Sequence, residues 1–148
     1  MIKIFIAAIL LMSSPSFSAV TPEQCISIED DVGIASLFSM EEDLNIPPSQ
    51  IDRGKTKTEI LYIEPVTYEL ALFYGKKETT LSGTNSEDRT TAEQYAEGFM
   101  WNNSKNLIVK YNFYNHEGKE NILIISAFVS DIDCAVRFNG HVVVKREF

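Results

Sequence analysis

The strongest alternation of apolar and polar residues in this chain begins at Asn106. Leu107, Val109, Tyr111 and Phe113 alternate with polar or mixed neighbours, and Ile122 to Val129 returns the pattern after Asn115-His116-Glu117-Gly118-Lys119. A period of two marks strands, and a glycine late in the connection suits a type I turn closed by a left-handed residue, so this region predicts a β-hairpin. Setting Asn115 opposite Lys119 pairs Tyr111 with Leu123, Val109 with Ile125 and Leu107 with Ala127. One face is then continuously apolar, as a face buried on a core must be. Asn139-Gly140, between Phe138 and His141, predicts a second, tight hairpin because both residues tolerate positive φ. Its register sets Val136 opposite Val143, Cys134 opposite Lys145 and Asp133 opposite Arg146. Thr58 to Glu64, β-branched and aromatic and stopped by Pro65, predicts a further strand.

Elsewhere the apolar spacing is helical. Thr21 suits a helix cap, Pro22 the first helical position, and Glu23 and Gln24 the positive end of the dipole. Cys25, Ile28, Val32, Ile34, Leu37 and Phe38 then form an apolar stripe, with Gly33 as a break and Ser39 as the cap of a second turn that begins with Glu41, Glu42 and Asp43. Tyr68 to Tyr74 predicts a short helix ended by Gly75-Lys76-Lys77. Thr90 or Thr91 caps another over Ala92 to Met100, where Ala92, Tyr95, Ala96 and Phe99 share a face. Asn45 to Lys57 and Glu78 to Arg89 read as loops. Together these elements predict an α+β fold in which N-terminal helices pack on one face of a C-terminal antiparallel β-meander of four to five strands.

The front of the chain changes the compartment. Nine apolar residues, Ile4 to Met12, follow Lys3 and precede Ser16-Phe17-Ser18-Ala19, which predicts a cleavable export signal over residues 1–18. The run is about half of what a membrane span needs, so no membrane insertion is expected after cleavage. Residues 19–148 are then a single exported domain, periplasmic or, alternatively, secreted. Its only cysteines, Cys25 and Cys134, are expected to form one disulfide bond in an oxidising compartment.

Charge is unevenly placed. Val20 to Asp52 holds eight acids and no lysine or arginine, whereas Arg53 onward holds 13 acids and 12 bases. Such a field favours a cationic protein partner and repels nucleic acid and anionic membranes. Glu29, Asp30, Asp31, Glu41, Glu42 and Asp43 are the candidate partner-binding residues, with Trp101 or Tyr114 as an aromatic anchor.

Catalytic signatures are missing from the sequence. It has no glycine-rich phosphate loop, no His-Glu-x-x-His, no Gly-x-Ser-x-Gly and no Cys-x-x-Cys, so no cofactor, metal or catalytic residue is nominated. His116 and His141 fall in or beside the predicted turns and are expected to be solvated. The acid triplets lack the Asp-x-Asp-x-Asp-Gly pattern of a calcium loop and read as helix faces. The expected function is therefore non-enzymatic binding, as by an immunity protein or inhibitor that docks on a basic toxin or cell-wall hydrolase. An envelope hydrolase working through carboxylates and a structural part of an envelope complex are the competing readings. The pattern specifies no oligomeric state.

Overall fold

The period-two segments pair into one antiparallel sheet. Lys57–Pro65 (β1), Lys105–Tyr114 (β2), Glu120–Val129 (β3) and Arg137–Lys145 (β4) lie in the order β1-β2-β3-β4. The computed structural model describes residues 19–81 and 90–148. The predicted export signal at 1–18 and the 82–89 part of the predicted loop lie outside the described residues.

The β2–β3 register is the expected one, with Tyr111 opposite Leu123, Val109 opposite Ile125 and Leu107 opposite Ala127. These side chains and Phe113 are buried on a common face. The predicted Asn139-Gly140 hairpin does not form. Those residues lie inside β4, which runs unbroken along β3, and the register slips between Ser126 and Ala127 so that Asn139 is the extra residue of a bulge. A tight type I′ turn needs positive φ at both central residues, but here only Gly140 has it (φ 118°). The pairings tied to that hairpin are absent too. Asp133 Oδ1 accepts the Ala135 N–H at 2.8 Å, and Arg146 Nη2 donates to the Leu44 carbonyl at 2.9 Å.

Two helices precede the sheet. Pro22–Cys25 (α1) starts with the expected Thr21 cap, reciprocated by Gln24. Asp31–Leu44 (α2) begins at Asp30, whose Oδ1 accepts the Asp31 N–H at 2.8 Å, and passes through both Gly33 and Ser39 without a break. It ends at Asn45, left-handed at φ 55°, with the Ile46 N–H reaching back to the Met40 carbonyl at 3.2 Å. Val32, Leu37 and Met40 face the buried side of the sheet, and the Cys25–Cys134 disulfide ties α1 to the β3–β4 connection. The Tyr111 hydroxyl donates to the Ile26 carbonyl at 2.8 Å, and burial pushes its pKa well above the usual phenol range.

The other helical pair takes the opposite face rather than joining these two. Tyr68–Leu81 (α3) continues past Gly75, and Ala92–Phe99 (α4) starts at a Thr91–Gln94 capping box. Both pack around Phe128, which meets Tyr74 and Phe99 edge-on at ring separations of 5.4 and 6.0 Å. Arg137 lies over Tyr74, 4.3 Å from the ring, and pairs with Glu78.

One polar cluster fastens the far end of the sheet. Glu120 accepts hydrogen bonds from Asn112 Nδ2 (2.8 Å), Tyr114 Oη (2.7 Å) and Lys145 Nζ (2.9 Å). The Asn112 amide above all, then Lys145 and Tyr114, hold its pKa down to about 2 from 4.5. A carboxylate with a depressed folded pKa stabilises fully above its unfolded value and loses that contribution as pH falls through its folded one. Wild-type thermal stability is therefore expected to fall between pH 4.5 and about 2 more steeply than that of Glu120→Gln, the two curves converging at the acid end. Parallel melting-temperature curves across that window would refute the assignment.

Candidate functional site

Helix α2 carries the concentration of charge, and its faces follow from its packing. Val32, Gly33, Ser36, Leu37, Ser39 and Met40 are buried, which leaves Asp31, Ile34, Phe38, Glu41 and Glu42 facing outward at helical spacing. Ile34 is 37 % exposed and Phe38 57 %, so the apolar stripe inferred from sequence is corrected: these two residues lie outside the core. Over 14 residues the helix is about 20 Å long, with one acid triplet at each end and the two exposed apolar side chains between them.

The six predicted acids do not play equal parts. Glu29 is ion-paired with Arg53 Nη1 at 2.7 Å, Asp30 is the cap of α2, and Asp43 Oδ2 lies 3.7 Å from His141 Nδ1. Among the described residues Asp31, Glu41 and Glu42 have no ion-pair partner. The available negative charge thus sits at both ends of the exposed Ile34–Phe38 surface. Tyr114, one of the two predicted anchors, has its hydroxyl committed to Glu120, whereas Trp101 is 71 % exposed at the end of α4, outside this helix.

His141 is not at a turn tip. Its side chain is 12 % exposed, and Ser39 Oγ lies 2.5 Å from its Nδ1. A serine nucleophile and its orienting carboxylate use opposite ring nitrogens of one histidine, but Ser39 and Asp43 both approach Nδ1. The group therefore braces α2 against β4. His116 is exposed, as expected, and its Nε2 donates to the Ser49 carbonyl at 3.2 Å. The two histidines have different partners.

Asp30, Asp31 and Cys134 place ligand-type atoms within 4.8 Å of one another. The sulfur is in the disulfide and Asp30 Oδ1 caps α2, which leaves Asp31 as the one uncommitted side chain of the trio, fewer donors than a metal centre uses.

Comparison with protein-family models, with curated proteins and with solved structures gave no match.

A hydrolase acting through two carboxylates needs both in one cleft. Among the described residues, the cavity between α4 and the β3–β4 connection is bordered by one acid, Asp133, and that beside Cys134 by one, Asp31. Two further cavities, beside Phe73 and beside Tyr114, are bordered by no acid among the described residues. Among the described residues no helix is long and apolar enough to cross a membrane.

Proposed function

We propose that the protein is an exported, non-enzymatic binding protein that docks the outer face of α2 on a cationic protein, in the manner of an immunity protein or of an inhibitor of a basic toxin or cell-wall hydrolase. Phe38 carries this reading: a largely exposed aromatic at the middle of a helix whose two ends present Asp31 and the Glu41–Glu42 pair. Apolar and aromatic centres with charged rims are the composition of docking surfaces, the centre supplying affinity and the rim the rate of encounter. Covering Phe38 would remove apolar area from water worth roughly 2 kcal/mol. The periplasm is the proposed address, because the apolar run at Ile4 to Met12 precedes a domain with a disulfide.

The test uses the mature chain and purified basic cell-wall muramidases and nucleases as probes. Stoichiometric binding with loss of enzyme turnover is expected for at least one of them. Phe38→Ala is expected to weaken that complex about 30-fold, mainly through faster dissociation. Asp31→Lys combined with Glu41→Lys and Glu42→Lys is expected to slow association about 10-fold or more at low ionic strength and to flatten its salt dependence. Absence of binding to every basic probe, or a complex indifferent to both sets of substitutions, would remove the reading.

A further inference from the structure

A separate site is built where α4 ends. The chain leaves that helix through Trp101-Asn102-Asn103, and Asn102 and Asn103 are both left-handed, at φ 53° and 57°. Two consecutive side-chain-bearing residues in that region cost energy, so the surrounding contacts must hold them there. Asp131 supplies those contacts from the β3–β4 connection. Its N–H donates to the Asn102 carbonyl at 3.2 Å, and its carboxylate accepts from Asn103 Nδ2 at 2.9 Å and from Lys105 Nζ at 3.1 Å.

The connection itself is rigidly closed. The Ser130 N–H donates to the Asp133 carbonyl at 2.7 Å, and Ser130 Oγ accepts the Asp133 N–H at 3.0 Å. Cys134, the next residue, is locked to α1 by the disulfide. Between these two walls lies a cavity of about 320 Å³ bordered by Tyr95, Phe99, Trp101, Asn102, Ile132 and Asp133, among others. That volume falls at the lower end of the range for small-molecule sites.

The lining selects the chemistry of an occupant. Tyr95 and Phe99 are stacked with ring centroids 6.0 Å apart, while Trp101 and Ile132 are 71 % and 62 % exposed at the rim. Among the described residues no lysine, arginine or histidine borders the cavity, so none of them offsets an anionic charge there. Asp133, the one acid among the described residues that border it, has one carboxylate oxygen engaged by the Ala135 N–H. Gln94 borders the cavity as well; its Oε1 is engaged by the Thr91 N–H, and its amide nitrogen remains to donate.

A purely aliphatic occupant would leave the Asn102 and Gln94 amides without partners, at a cost. A neutral pyranose matches both kinds of surface. Its C–H faces carry slight positive charge and lie well on the negative face of an aromatic ring, and its hydroxyls both donate and accept. We propose that this cavity binds a neutral saccharide, with one sugar ring stacked on Trp101 and the amides of Asn102 and Gln94 holding its hydroxyls. The site is independent of the α2 face.

Trp101 is the only tryptophan, so its fluorescence reports on this site alone. The mature chain is titrated with tri-N-acetylchitotriose and maltotriose, with cyclohexanol as the non-saccharide control, and binding is measured in parallel by saturation-transfer NMR. A saturable blue shift with a neutral trisaccharide is expected. Trp101→Ala, which removes a largely exposed side chain and should leave the far-UV circular dichroism unchanged, is expected to weaken binding about tenfold or more in the NMR assay, with Trp101→Phe recovering part of it. Response to cyclohexanol but to neither saccharide would overturn the proposal. So would silence toward all three, or saccharide binding that survives Trp101→Ala.

Discussion

Replacing Cys25 and Cys134 together by alanine is expected to destabilise the protein by about 4 to 5 kcal/mol, read as a lower midpoint in denaturant unfolding. The two residues are 109 apart in sequence, and in the chain-entropy model a closed loop of that size restricts the unfolded ensemble by this amount. It is a large share of the roughly 5–15 kcal/mol that holds an ordinary domain together. The bond does local work as well, since Cys25 is fully buried and the cross-link joins α1 to the segment that follows the Ser130 turn. Besides that bond, the Val20 N–H to the Asp131 carbonyl, at 2.8 Å, ties the N-terminal stretch to this connection. The unfolded chain of the double variant should also be more expanded, so the denaturant slope is expected to rise. A loss below about 1 kcal/mol would mean that the unfolded chain keeps these ends together without the bond, contrary to the entropic account.

How far the fold could be read depended on whether its determinants were local. The β2–β3 register was legible because a strand with one buried face permits a single alignment of Leu107, Val109, Tyr111 and Phe113 with Leu123, Ile125 and Ala127. Asn139-Gly140 misled because positive φ serves a bulge as well as a turn, and neighbouring β3, not the dipeptide, decides which forms. Gly75 misled in the same way. It reads as a helix terminator, yet α3 continues through it, and glycine serves there for the close approach of α4: a Cβ would come within 2.2 Å of the Ala92 carbonyl oxygen. No local pattern announces that α4 will lie against α3.

The outward placement of the acids on α2 was legible in the sequence, whereas the exposure of Phe38 was not. Glu29, Asp31, Glu41, Glu42 and Asp43 are exposed, and Asp30, half-buried, is the helix cap. Phe38 was hidden because half of the six buried residues of α2 are small. Gly33, Ser36 and Ser39 are buried there, with Ser36 Oγ satisfied by donating to the Gly33 carbonyl at 2.6 Å and Ser39 Oγ by His141. A stripe drawn from apolar residues alone passes over such positions and takes in Ile34 and Phe38 instead. Serines that close a hydrogen bond within their own helix or to a facing strand are core residues in polar dress.

Gly33→Ala and Gly98→Ala are expected to change stability in opposite directions, although both replace a glycine within a helix. In an exposed helix interior this substitution stabilises by about 0.5–1 kcal/mol, because alanine gives up less backbone freedom on folding. Gly98, exposed in the last turn of α4, has room for the methyl group, since an added Cβ finds no atom within 4 Å, and its gain lies toward the lower end of that range. At Gly33 the same methyl group would lie 2.2 Å from the Ser27 carbonyl oxygen and 2.6 Å from Ile28 Cα. Both are backbone atoms, so relief requires α2 to move away from the chain that links it to α1, and that chain is held by the disulfide at Cys25. The displacement would also pull Val32 and Leu37 from the buried face of the sheet. Overpacking of this kind costs roughly 1–3 kcal/mol, and contact with backbone on a tethered segment places Gly33→Ala at or above the upper end. Thermal unfolding of the two variants beside the wild type separates the effects. A Gly33→Ala protein as stable as Gly98→Ala would mean that the α1–α2 link yields freely, and the close approach that lets α2 run unbroken from Asp31 would then not be what requires glycine there.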